Sequence, residues 1–310
     1  MEKVSLGKSR VAVSPLGLGA LAWGRGNRHY GGTAGPSAEK EMFDTSLAGG
    51  VNFFDTAERY GHGASEASLG ELSRGTDAVI ASKFYNPPLR TARVLPSALE
   101  GSLARLGRTS VDLYQIHLAP PFMSIPRLMR RLADAVDAGK ARAVGVSNFS
   151  EPQMRRAHEE LAQHGIPLAS NQVQYSLLHR DPETSGVLRA CRELGVTLIA
   201  FGPLAAGALS GKYSPEHRPP DWRRRTVLSF YRGKHLRTLS RVLPVLAEIG
   251  RRHDTTHAQV ALRWLLQQPN VVPIPGARNA QQARQNAGAL TFSLSTQEMD
   301  ALSDASAPGA

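Results

Sequence analysis

Four residues of chemically useful type stand at or just beyond the ends of apolar runs. They are Asp55 and Tyr60 in FDTAERYG (54–61), Lys83 closing AVIASK (78–83) and His117 closing VDLYQIH (111–117). A charged lysine is almost never fully buried unless paired, so Lys83 calls for a carboxylate, and Asp55 is the one a neighbouring run offers. A tyrosine beside that ammonium has its phenolate favoured and its pKa lowered. It then becomes a usable general acid at neutral pH. His117 can hydrogen-bond a substrate oxygen next to it. Together the four describe a site that protonates a developing alkoxide, as carbonyl reduction requires. Singly, each has a plainer reading: Asp55 as a helix cap, Tyr60 as packing, His117 as a core polar group. Their coincidence at three consecutive run ends favours the chemical one. A second use of the same lysine, as the Schiff-base nucleophile of a barrel lyase, stays open here.

Such residues meet only if the chain gathers its strand ends. The apolar runs are SPLGLGA (14–20), VNFFDT (51–56), AVIASK, VDLYQIH, ARAVGVS (141–147), ASNQVQY (169–175), VTLIAF (196–201) and NVVPIP (270–275). Amphipathic stretches separate them, among them 91–107 and 126–140, and Ser150 with Gln153 has capping-box spacing. Eight strand–helix alternations predict a parallel sheet covered by helices. At this length it closes into a (β/α)8 TIM barrel, an α/β fold, with an open doubly wound sheet as the alternative. Residues 3–13, turning at Gly7–Lys8, are expected to form an N-terminal hairpin that plugs the barrel floor. Two extra helices, near 236–253 and 256–267, precede the last strand. The whole chain, 1–310, reads as one barrel domain. The polar, Pro-rich stretch 210–225 is long for a loop of such a fold, which points to a functional loop.

Composition narrows the classes. The chain has a 41% hydrophobic fraction and no apolar stretch long enough for a membrane span. Its first ten residues lack the apolar core of a secretory signal. One cysteine, Cys191, excludes an internal disulfide and suits a reducing cytoplasm; it reads as a small core residue on a helix face. The net charge of +11 is spread in pairs, and the one triple, Arg223–Arg225, has no interleaved aromatics, so nucleic-acid binding is disfavoured. No metal site is expected, and homo-oligomerisation is left open.

Order, content and spacing of PLGLGALAWG (15–24), GVNFFDTAERYG (50–61), VDLYQIH, GKARAVGVSNF (139–149), NQVQYSLL (171–178), FGPLAAGALSGKY (201–213) and IPGARNAQQARQN (274–286) resemble the aldo-keto reductase superfamily over essentially the whole chain. The resemblance implies a catalytic tetrad of Asp55, Tyr60, Lys83 and His117. The implied reaction is hydride transfer from a reduced nicotinamide to an aldehyde or ketone, with Tyr60 as proton donor. It also implies NAD(P)H extended across the barrel mouth without a Rossmann fold, and GLGALAWG (17–24) and GHGASE (61–66) do miss the G-x-G-x-x-G spacing. By the same resemblance Ser147, Asn148 and Gln172 hold the carboxamide. Phe201 stacks on the nicotinamide where many relatives carry tyrosine, and Gly202 replaces a commonly seen serine, at the loss of one contact. Small residues from Leu204 onward let backbone N–H groups approach a pyrophosphate. Gly276 opens GARN at a helix start, a second anion site. Arg278 then falls against the ribose 2′-phosphate, with Gln282 and Asn286 near the adenine. Arginine is well shaped for phosphate, so NADPH is favoured over NADH. Relatives that serve as channel subunits keep a regulatory or interaction role open, though an intact tetrad argues against it.

The substrate is expected to be a small-molecule carbonyl compound. Trp23, Tyr85, Leu118 and Phe122, with Trp222, are the candidate pocket walls, each reading equally well as core or loop packing. The sequence stops soon after 295–305 and lacks the long tail that narrows the pocket in some relatives. The expected site is therefore open, or closed by the loop 204–235. Trp222 and Arg223–Arg225 on that loop would then meet an anionic or carrier-bound substrate.

Overall fold

The computed structural model describes residues 2–24, 35–87, 90–120, 124–214, 217 and 233–307. The chain opens with the expected hairpin, β1 (Val4–Ser5) pairing antiparallel with β2 (Ala12–Val13). Its turn requires Gly7, whose φ is +54° and where a Cβ would come within 2.7 Å of the Ala169 carbonyl oxygen. Gly7 N donates to Thr197 Oγ1 at 2.8 Å. Leu6, Val11 and Val13 are buried in one cluster with Phe53, Val79, Leu113, Ala169, Ile199 and Val272. The hairpin thus seals the floor with apolar side chains, each buried leucine or valine contributing about 2 kcal/mol.

Eight parallel strands follow: β3 (Gly17–Gly19), β4 (Phe53–Asp55), β5 (Val79–Phe84), β6 (Val111–Ile116), β7 (Ala141–Ser147), β8 (Leu168–Gln174), β9 (Thr197–Phe201) and β10 (Val271–Ile274). They pair in chain order from β3 to β10. The seam closes where Gly19 bridges Gly276 and donates its N–H to the Pro275 carbonyl at 3.0 Å. A side chain cannot stand at the neighbouring Gly17, since its Cβ would lie 2.7 Å from the Phe53 ring and 2.8 Å from Ile274.

Helices cover the outside: α1 (Pro36–Ala48), α2 (Ala64–Leu72), α3 (Leu95–Leu106), α4 (Ile125–Asp137), α5 (Glu151–Ala162), the short α6 (Asp181–Thr184) and α7 (Val187–Leu194). The expected extra pair are α8 (Gly233–Arg252) and α9 (His257–Leu266), and α10 (Ala280–Gly288) and α11 (Thr296–Ala305) follow β10. At the start of α5, Gln153 Oε1 accepts the Ser150 N–H at 2.9 Å, as the capping-box spacing predicts. Cys191 is fully buried in α7, and burial pushes its thiol up to about 12, which fits a core residue. No helix among the described residues is long and apolar enough to cross a membrane.

Strand parity sorts side chains between barrel interior and helix layer. On β6, Leu113 joins the interior cluster, whereas Tyr114 and Ile116 join the outer core with Leu99, Leu103 and Leu128. On β8 the alternation breaks. Val144 pairs with Leu168, but the next residue, Gly145, pairs with Ser170, so Ala169 is extra. This bulge sets Ala169 and Ser170 inward in succession and carries Gln172 to the interior with them.

Candidate active site

Asp55 ends β4 and is 2% exposed; Lys83, next to last on β5, is fully buried. Lys83 Nζ donates to Asp55 Oδ1 at 2.5 Å, to the Thr56 carbonyl at 2.9 Å and to Tyr60 Oη at 3.2 Å. Three donors meet three acceptors, which is what a buried ammonium requires. Burial pulls the Lys83 pKa down, but the Asp55 carboxylate and then Tyr60 outweigh it, and the pKa is raised above the ordinary 10.5. The other carboxylate oxygen, Asp55 Oδ2, accepts from Gln172 Nε2 at 2.9 Å and from Gln115 Nε2 at 3.4 Å.

Tyr60 opens a tight turn in which Gly61 and His62 both have positive φ, and α2 starts directly after it. That turn is pinned from below. Ser65 Oγ donates to the Ala20 carbonyl at 2.7 Å and lies 2.7 Å from Thr56 Oγ1. Glu66, fully buried, accepts from Ser82 Oγ and from Arg105 Nε, the latter at 2.7 Å. His117, just past β6, presents its ring edge-on to Tyr60 at 5.6 Å and to Tyr85 at 5.8 Å. Burial, then the charges of Lys83 and Arg59, push its pKa down to about 3, so the imidazole is neutral at physiological pH. Its Nδ1 is buried without a hydrogen-bond partner among the described residues.

The rim beyond these rings is built from β4 and β5 loop residues. Glu58 Oε1 accepts from Tyr85 N and from Arg90 Nη1, each at 2.5 Å, and Arg90 Nη2 donates to Glu58 Oε2 at 3.1 Å. Arg59 lies with its guanidinium 4.2 Å from the centre of the half-buried Tyr85 ring. Asn86 clamps Leu118 by both backbone groups, at 2.8 and 3.0 Å. Trp23, expected as a pocket wall, is 1% exposed and belongs to the outer core, its ring 6.4 Å from Phe54. The cause is Gly24, whose φ of +94° turns the chain close against Ala64 and whose N–H is held by the buried Glu39 carboxylate at 2.9 Å. Phe122, Trp222 and Arg223–Arg225 lie outside the described residues.

The candidate cofactor contacts fall into two groups. At the mouth, Asn148 takes a positive φ of 60°, with its N–H on the Gln172 carbonyl at 2.9 Å. Its Nδ2 donates to the His117 carbonyl and to Ser147 Oγ, both at 3.1 Å, and Ser147 Oγ donates to the Gln172 carbonyl at 2.8 Å. Asn148, Gln172 and Ser147 therefore adjoin Asp55 and His117 in one hydrogen-bonded cluster. Half-buried Phe201 ends β9, and after it Gly202, Ala205, Ala206 and Gly207 all have positive φ. Two alanines in that conformation cost about 1–2 kcal/mol each, the kind of strain that gathers at ligand sites. Half-buried Leu204 lies within this turn, its carbonyl accepting from Gly207 N at 2.9 Å. The second group stands at the seam. Asn279 caps α10 by accepting from Gln282 N at 2.9 Å, Gln282 Oε1 accepts from Arg278 N at 2.9 Å, and Asn286 Nδ2 donates to the Gly276 carbonyl at 3.3 Å. Arg278 itself is exposed. The donor set suits a nicotinamide dinucleotide: side-chain amides at Gln172 and Asn148 for a carboxamide, a strained backbone turn and an arginine at a helix start for phosphates.

Several members of this cluster are absent from the sequence reading. Gln115 is fully buried between Asp55 and Ser170, whose Oγ donates to Gln115 Oε1 at 3.3 Å. Its parity with Leu113 on β6, and with His117 just past it, was the available signal, a polar residue at an interior position. Glu58, Arg59 and Glu66 carried no such signal, because their partners come from distant loops.

Comparison with known proteins identifies the family. The sequence model of the Aldo/keto reductase family matches residues 15–307. An uncharacterized oxidoreductase of Mycobacterium tuberculosis is 38% identical over 299 residues, covering 96% of this chain and 89% of the relative. The chloroplastic pyridoxal reductase of Arabidopsis thaliana is 34% identical over 314 residues, covering 96% and 84%. The crystal structure of the thermostable aldo-keto reductase Tm1743, in complex with the inhibitor epalrestat, superposes with a TM-score of 0.79 at 32% identity, covering 98% of this chain and 100% of that one. On the family match and these relatives, the chain belongs to the aldo/keto reductase family, enzymes that use NAD(P)H in the reduction of carbonyl compounds.

Proposed function

We propose that the chain reduces an aldehyde or ketone to an alcohol with NADPH, and that Tyr60 delivers the proton. The observation that carries this is the 3.2 Å contact from Lys83 Nζ to Tyr60 Oη, made by an ammonium that Asp55 holds at 2.5 Å. When bound, the reduced nicotinamide supplies hydride to the carbonyl carbon. The protein's task is the oxygen. Lys83 favours the phenolate of Tyr60, so loss of the Tyr60 proton to the developing alkoxide is stabilised as it occurs. Neutral His117, edge-on to Tyr60, orients the substrate oxygen without adding a charge that would repel Lys83. Asn148 and Gln172 orient the carboxamide, and Ser147 fixes Asn148. Phe201 offers its ring face to the nicotinamide. Arg278, exposed at the start of α10, selects the ribose 2′-phosphate, with Gly276, Gln282 and Asn286 forming the adenosine end. A Schiff-base role for Lys83 needs a neutral amine, and the Asp55 pair opposes that.

The test is a fluorescence titration with NADPH and NADH beside an aromatic aldehyde reduction assay. Arg278→Gln should weaken NADPH at least about tenfold and NADH little, the size of a lost charge-assisted phosphate contact. Tyr60→Phe should lower kcat about 100-fold or more with the titration unchanged. Equal loss for both nucleotides in Arg278→Gln, or full turnover by Tyr60→Phe, would refute the corresponding role.

A further inference from the structure

Among the cations where β4 and β5 open into the mouth of the barrel, Lys83 and Arg90 are neutralised. Lys83 has Asp55 at 2.5 Å, and Arg90 is held by both oxygens of Glu58. Arg59 is different. It is exposed, and among the described residues no carboxylate lies within ion-pair distance of it. Glu58, next to it in sequence, is occupied by Arg90 and the Tyr85 N–H. What holds Arg59 is the face of Tyr85, at 4.2 Å. A π-face steadies a guanidinium without cancelling its charge or using its N–H donors. Tyr85 is in turn 5.8 Å from His117, so the guanidinium sits within about 10 Å of the ring where the substrate oxygen is placed. Its field reaches that ring, since Arg59 follows Lys83 among the charges acting on His117.

Resting on the reductase reading above, we infer that Arg59 is a specificity-determining residue, and that the preferred substrates are carbonyl compounds bearing an oxyanion, a carboxylate or phosphate, a few bonds from the C=O. The aldehyde or ketone oxygen lies between Tyr60 and His117, the body of the substrate passes Tyr85, and the oxyanion accepts N–H groups from Arg59 in the forked geometry guanidinium offers. Arg59 touches only the distal end of the substrate and takes no part in proton transfer. Tyr85 acts as a positioning residue by keeping Arg59 over the mouth.

The experiment is steady-state reduction, with NADPH, of 4-formylbenzoate and 4-formylphenyl phosphate against the neutral methyl 4-formylbenzoate, by the wild type, Arg59→Gln and Arg59→Lys. The readout is the ratio of kcat/KM for each charged aldehyde over the ester. The wild-type ratio should exceed one and fall as ionic strength rises from about 0.01 to 1 M. Arg59→Gln should lower it about tenfold, mostly through KM, and Arg59→Lys should keep part of it, having the charge without the fork. Whichever aldehyde loses more identifies the oxyanion. An equal ratio in the wild type and Arg59→Gln would overturn the assignment while leaving the reductase standing. No turnover of any of the three aldehydes would instead bring down the reductase reading, and this inference with it.

Discussion

Replacing Asp55 by asparagine tests whether the buried pair is what makes Lys83 tolerable. The Lys83 and Asp55 side chains are 0% and 3% exposed, so solvent cannot stand in for the lost charge. Removing one partner of such a pair costs about 3–5 kcal/mol, because the other is left as an uncompensated buried ion. The asparagine in Asp55→Asn would keep an oxygen for Lys83 but turn its amide NH2 toward Gln172 Nε2, which now donates to Asp55 Oδ2 at 2.9 Å. Gln172 can turn its own amide over, so most of the loss should be the ammonium itself, placing the effect near about 3 kcal/mol. Domains of ordinary stability survive that, so Asp55→Asn should fold. Reversible urea denaturation followed by tryptophan fluorescence should show a midpoint lowered by about 1 M, taking a slope of about 3 kcal/mol/M for a chain of this size.

Lys83→Met in the Asp55→Asn background removes the stranded ion and should restore about 2 kcal/mol, the coupling signature of a contacting pair. In the wild type the Lys83 pKa is raised, so its stabilisation is complete below 10.5 and is lost as pH climbs through the folded value. In Asp55→Asn, burial, the largest influence on Lys83, is opposed by Tyr60 alone and the folded pKa should drop below 10.5. The unfolded chain then binds more protons just under 10.5, and stability should rise with pH there. A double variant no more stable than Asp55→Asn, or a parallel pH dependence in wild type and single variant, would refute the claim that the pair neutralises a buried charge.

Two other outcomes follow from the structure. With its pKa near 3, His117 should show no NMR titration between pH 8 and 5, its signal being assigned by its loss in His117→Gln. The unfolded chain binds more protons between about 3 and 6.5, so stability should drop as pH is lowered through that window, and less steeply in His117→Gln; an inflection near 6.5 in the NMR titration would contradict the burial argument. Leu6→Ala in the hairpin should cost about 2–5 kcal/mol in the same denaturation assay, since Leu6 is fully buried against barrel-interior side chains. A loss under about 1 kcal/mol would mean the hairpin docks loosely.

The strand ends were legible because hydrophobic runs in a parallel barrel stop where the chemistry starts. Asp55, Lys83 and His117 are each the polar residue that closes such a run, and the structure joins Asp55 to Lys83 directly and sets His117 beside Tyr60. The hairpin was legible from Gly7, the capping box from Ser150 and Gln153. The β8 bulge was not. In ASNQVQ polar residues occupy both parities, so periodicity alone allows either Asn171 or Gln172 to face inward. Only the shift in pairing at Gly145 decides for Gln172, and Asn171 turns out to donate to the Phe149 carbonyl, outside the barrel. Trp23 was open between pocket wall and core packing in the sequence, and the indole lies in the core cluster, with Gly24 beside it turned against α2.

The Asp55–Lys83 pair also constrains where a proton can come from. Below Asp55 and Lys83 the barrel is filled by Phe53, Ala81, Leu113 and Ala143, which keep water out from that side. In that dry setting every member of the proposed tetrad but one is committed. Lys83 has three acceptors for three N–H groups and a raised pKa, so it holds its proton. Asp55 accepts from Lys83 and Gln172 and is the counter-charge, so protonating it would strand the lysine. His117 has its pKa near 3 and carries no excess proton at pH 7. Tyr60 combines an ionisable O–H, partial exposure toward the mouth and a cation at 3.2 Å that stabilises its anion. In the proposed reaction Tyr60 is the proton source because its neighbours cannot release one and Lys83, at 3.2 Å, stabilises its anion.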